Sequence, residues 1–146
     1  MTFKLFKKYI LTEKKEKRIF NQTLLWLIIS FLLVRVIPLK WYSKLLGDFK
    51  HERLNDLNFE QKQIVENLVK SIKRCKKHLP WKVKCFDESI TAKRVLKNHN
   101  IISTLYLGVD KNKNEKLIAH AWVKVGEKVI VGEKAYQKFK VVGFFS

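Results

Sequence analysis

From Thr23 to Leu39 the chain reads TLLWLIISFLLVRVIPL, where apolar residues follow one another almost without a break. The uninterrupted part, Leu24 to Val34, is shorter than the roughly 20 residues a spanning helix wants. Arg35 then interrupts it, and Pro38 predicts its end because proline cannot continue the hydrogen-bond ladder. Residues 1–20 form a basic amphipathic lead-in with Phe3, Phe6, Tyr9 and Ile10 at helical spacing between lysines. A secretory signal is disfavoured, since the polar stretch ahead is long and no small-residue cleavage site follows Val34. Three places for residues 24–39 stay open: buried against the fold, laid on a membrane, or spanning one. The segment SKLLGD around Gly47 reads as a boundary, which divides the chain into 1–50 and 51–146.

Beyond that boundary the period is helical, then alternating. Asn58 with Gln61 predicts a capping box. Ile64, Val65, Leu68, Val69 and Ile72 line one face of a helix to about His78, with Lys62, Glu66, Lys70 and Lys73 on the solvated side. Pro80 makes the chain extended as far as Lys84. A second helix is expected from Phe86 to Lys97, its first turn holding Asp87 and Glu88 where the dipole favours negative charge. Cys85, Ser89, Ala92 and Leu96 fall on one of its faces.

Strands are expected at 101–109, 116–125, 128–133 and 139–145. In the second, Leu117, Ala119, Ala121, Val123 and Val125 face one way, and Ile118, His120, Trp122 and Lys124 the other. Gly126-Glu127 reads as a two-residue hairpin turn, and that register pairs His120 with Glu133. Helices followed by an antiparallel sheet make an α+β fold.

Composition narrows the class. A chain of 146 residues with 47% apolar content closes a core of its own and is not disordered. Cys75 and Cys85 are too few for a disulfide framework and read as free thiols in a reducing, cytoplasmic compartment, with one bridge between them as the alternative. The net charge of +18 is spread over the whole chain and is mostly lysine, so it reads first as lysine-rich background composition. Beyond that it favours anionic partners: nucleic acid, an acidic peptide or a membrane surface. Nucleic acid is the less favoured partner, because no aromatic-studded basic strand is present.

Three residues carry candidate chemistry. Cys85 stands at a helix start, where free amides and the dipole favour a thiolate, with Lys82 and Lys84 nearby. His120 is on a strand, and Glu133 is its expected partner, giving the order nucleophile, base and acid. A longer turn would leave Glu127 as the acid instead. Two other readings stand beside this one: a cysteine that simply packs, and a metal site drawn from Cys75, His78, Cys85 and His120.

The run LPWKVKCFDESITAKRVL, then LYLGV, AHAWV around His120, and FKVVGFF resembles the lasso peptide biosynthesis B protein in its split, leader-peptidase form. The helix ending in IPLKWYSKLLGD fits the same family, so the resemblance covers nearly the whole chain. It implies a transglutaminase-like, papain-related fold and a cysteine peptidase with no cofactor. Cys85 would attack the scissile carbonyl, His120 would move the proton, and an acid on the following strand would orient the imidazole. It further implies a precursor peptide with a leader, a small leader-recognition protein, and an ATP-dependent macrolactam cyclase as partners. On this reading the enzyme is cytoplasmic, with residues 24–39 able to dock it on the inner face of the membrane. Phe86 stands where many relatives carry leucine, and Glu133 where they carry aspartate.

Overall fold

The computed structural model describes residues 13–48 and 56–146. Phe3, Phe6, Tyr9 and Ile10 of the expected lead-in lie outside them. Helix α1 spans Lys14–Val36 and is followed by the short α2 (Leu39–Tyr42) and a 3-10 turn at Ser43–Leu46. Helices α3 (Phe59–His78) and α4 (Cys85–Asn98) come next, then β1 (Thr104–Lys111), β2 (Leu117–Val125), β3 (Lys128–Val131) and β4 (Lys140–Phe145). The strands form one antiparallel sheet in the order β3-β2-β1-β4, so the fold is α+β as the pattern predicts.

Local chemistry sets several of these boundaries. Asn58 Oδ1 accepts from the Gln61 amide at 2.8 Å, and Gln61 Oε1 accepts from the Asn58 amide at 3.1 Å. Two otherwise orphaned amides are thereby satisfied, and α3 starts there. Helix α1 carries Arg35 in its last turn, where the guanidinium pairs with Asp87 of α4. It ends two residues before Pro38, with Ile37 already extended. Gly47 has φ 113° and lies against Ser146, so any Cβ there would collide with the Ser146 carbonyl. Asp48 and Ser146 exchange backbone hydrogen bonds at 2.8 and 3.1 Å, which ties the segment after α2 to the end of β4.

One core joins both parts of the chain. Ile19, Tyr42 and Leu46 pack with Val65, Leu68 and Ile72 of α3, with Ile90, Val95 and Leu96 of α4, and with Leu105, Val123, Val125 and Phe145 of the sheet. Helix α4 is the centre of this arrangement, with α1, α3 and β2 all packed against it. Its residues are accordingly buried nearly all round, from Asp87 to Leu96. A smaller cluster of Leu27, Cys75 and Val83, with Trp81 beside it, sits under the segment that leads into α4.

Candidate active site

Cys85 is the first residue of α4 and is partly exposed. Three contacts fix this helix start. Asp87 Oδ2 accepts from the Lys84 amide at 3.0 Å, closing the turn from the third helical position. Ser89 Oγ donates to the Cys85 carbonyl at 2.8 Å. Glu88 is paired with Lys76 of α3.

Asp87 is fully buried, and a buried carboxylate must be paired to be tolerated. Arg35 of α1 supplies the pair, its Nη1 3.3 Å from Oδ1 and its Nη2 3.4 Å from Oδ2. The guanidinium also lies 3.8 Å over the Phe31 ring and donates to the Phe31 carbonyl at 2.9 Å. Tyr42 is close enough that its hydroxyl is pushed to higher pKa, by burial first and by the Asp87 charge second. Trp81 packs on Phe31 with ring centroids 4.8 Å apart, and its indole Nε1 is buried without a partner among the described residues. Thus a residue 52 positions away holds the carboxylate that caps the cysteine's helix.

His120 lies on β2 and shares a face with Trp122, not with the Ala121 and Val123 side that joins the core. Its ring packs against Phe139 at 4.9 Å and Trp122 at 5.9 Å, in an aromatic layer that continues to Tyr106 and Tyr136. The imidazole Nε2 is 2.8 Å from the Gly132 carbonyl oxygen. A carbonyl only accepts, so Nε2 carries the hydrogen, and in the neutral ring Nδ1 is the nitrogen free to take a proton.

The expected pairing of His120 with Glu133 does not form in the sheet. The two-residue turn at Gly126-Glu127 is present, with Val125 opposite Lys128 and Lys124 opposite Val129. A bulge between Val123 and Lys124 then shifts the register, and β3 ends at Val131. Gly132 has φ 73° and turns the chain, leaving Glu133 exposed and the Gly132 carbonyl against the imidazole. A side chain at 132 would strike the Ala121 carbonyl, so this approach needs glycine. The signal was legible only in part: a glycine inside a strand pattern often marks a bulge or a close approach.

No hydrogen bond joins Cys85 to His120. Cys75, by contrast, is buried at the end of α3, and burial pushes its thiol up to about 11, a positive Arg74 opposing only partly. Among the described residues no group of three or more His, Cys, Asp or Glu side chains is gathered around one point. Residues 33–143 match the family model described as the transglutaminase-like superfamily. Comparison with curated proteins and with solved structures found no match.

Proposed function

The chain belongs to the transglutaminase-like superfamily, and on that premise we propose that it is a cysteine peptidase removing the leader from a ribosomally made lasso-peptide precursor. The superfamily includes cysteine-protease-type enzymes, and the match spans both Cys85 and His120. The observation that carries the reading is the partly exposed Cys85 at the first position of a helix capped through a buried carboxylate.

In this mechanism His120 Nδ1 takes the Cys85 proton as sulfur attacks the scissile carbonyl, and it returns that proton to the leaving amine. Water then opens the thioester, its proton passing to the same imidazole and back to the departing thiolate. The Cys85 amide, which has no partner within the helix, donates to the oxyanion. The Gly132 carbonyl fills the orienting role expected of Glu133. His120 stands on the side of β2 away from the core that α4 joins, so this step requires substrate binding to bring the cysteine and the histidine together. A small recognition protein presents the leader in the cytoplasm, and an ATP-dependent cyclase joins the freed amine to a side-chain carboxyl. The +18 charge favours an acidic leader, so cleavage should slow as salt is raised.

Mass spectrometry of the precursor incubated with the protein and its two partners tests this. Cys85→Ala should lower cleavage by about 10⁴-fold or more while precursor binding persists. Gly132→Ala should slow cleavage by about 10²-fold by displacing the imidazole from its anchor. The absence of a Cys85–His120 hydrogen bond favours a second reading, a non-catalytic peptide-binding scaffold on the same fold. Full activity of Cys85→Ala in the pathway would establish that reading and sink the first.

A further inference from the structure

Helix α1 turns its less apolar side inward. Its buried positions are Ile19, Thr23, Leu27 and Ser30, and two of the four are hydroxyl residues. Thr23 Oγ1 bonds the Ile19 carbonyl at 2.7 Å, and Ser30 Oγ meets Thr91 Oγ1 of α4 at 3.2 Å. The opposite side carries Leu25 at 56% exposure, Ile28 at 39%, Leu32 at 55% and Val36 at 75%. These four recur at spacings of three and four, so they form one stripe. The stripe continues past Pro38 into Leu39, Leu45 and Trp41, the last 73% exposed. Exposed cations flank it at both ends: Lys14 and Arg18 at the start, Lys40 and Lys44 at the finish.

We propose that this stripe is a membrane-docking surface on which α1 and α2 lie in the plane of an anionic lipid interface, without crossing it. Apolar residues on one side, cations at the margins and a tryptophan at the rim are what such an interface accommodates. The cations complement anionic headgroups and make a lipid surface the occupant that charge selects. Length and hydropathy alone would also allow α1 to span a bilayer. Its other side rules this out. Gln22 meets His99 at 2.9 Å, Glu16 meets Arg74 at 3.7 Å and Arg35 holds the buried Asp87. Crossing would strip each of these contacts and expose the core of the domain. Docking in the plane keeps them and holds α4, with Cys85 at its start, at a fixed height above the lipid. The inference rests on the packing of α1 and stands independently of the peptidase reading.

Sedimentation of the full chain with vesicles of phosphatidylcholine, alone or mixed with phosphatidylglycerol, tests it. The protein should pellet with the mixed vesicles and much less with the zwitterionic ones. The triple variant Leu25→Ser, Leu32→Ser, Val36→Ser should lose at least about 10²-fold in partitioning, with unchanged circular dichroism. Trp41→Ser, at a position outside the core, should lose about tenfold and serves if the triple variant fails to fold. Lys40→Glu with Lys44→Glu should remove the preference for phosphatidylglycerol. The proposal fails if the wild-type chain stays in the supernatant with mixed vesicles, or if the triple variant and Trp41→Ser pellet equally well. It also fails if the stripe closes a dimer in solution that the triple variant breaks, while neither form binds lipid.

Discussion

Cys75 packs near the end of α3 against Leu27 and Val83, while Cys85, ten residues on, opens α4 as a half-buried residue. Both are free thiols in one small molecule, so the difference between them is environmental. At the helix end the sulfur is surrounded by hydrocarbon and its charged form is disfavoured. At the helix start the amides of the first turn point outward, and the one nearby buried carboxylate is neutralised by Arg35. A thiol becomes chemically useful in the second setting and is filler in the first.

The largest test of this contrast is kinetic. Cys75→Ala should leave leader cleavage within about twofold, against the loss of about 10⁴-fold expected for Cys85→Ala. Iodoacetamide at neutral pH should modify Cys85 alone in the native protein, read by peptide mass mapping. Equal labelling of both thiols would erase the distinction.

Arg35→Gln comes next. It leaves Asp87 buried without its cation, so the urea midpoint should fall by an amount equivalent to about 3 kcal/mol, the low end for a broken buried pair. The low end applies because the Arg35 side chain keeps 30% of its exposure. Labelling of Cys85 should slow in this variant, because an uncompensated carboxylate two residues away opposes a thiolate. Labelling of Cys75 should not change. Asp87→Asn combined with Arg35→Gln should recover much of the Cys85 reactivity, which a merely structural role for Arg35 would not produce.

The smallest effect concerns alkaline stability. The Cys75 thiol ionises near 9.0 ordinarily and near 11 in the folded chain, so the native state holds its proton longer than the unfolded one. Stability from this source is complete below pH 9 and is lost as pH rises through 11. The full loss is about 2–3 kcal/mol. Denaturant midpoints of wild type and Cys75→Ala should converge across that range, and parallel curves would contradict the burial account.

How much of this is legible along the chain depends on distance in sequence. The capping box at Asn58 and Gln61 and the turn at Gly126-Glu127 are local, and both are present. Alternation in β2 correctly separated Ala121, Val123 and Val125 from His120 and Trp122. It did not foresee that the outer side is an aromatic layer burying Trp122 to 3% exposure. Pairing His120 with Glu133 required an unbroken register, and a single bulge was enough to replace a carboxylate by a main-chain carbonyl. Asp87 read as a first-turn residue favoured by the dipole, a local role that gave no hint of Arg35.

The main helices, the strands, the tight turn and the place of Cys85 at a helix start are written along the chain. Those follow from periodicity and capping, which act over a few residues. Which side of α1 enters the core, which cation neutralises Asp87 and which group meets His120 are settled by packing across the fold. Each of those is a meeting between distant segments, chosen by how α1, α4 and the sheet pack together and not by the residues next to them in the chain.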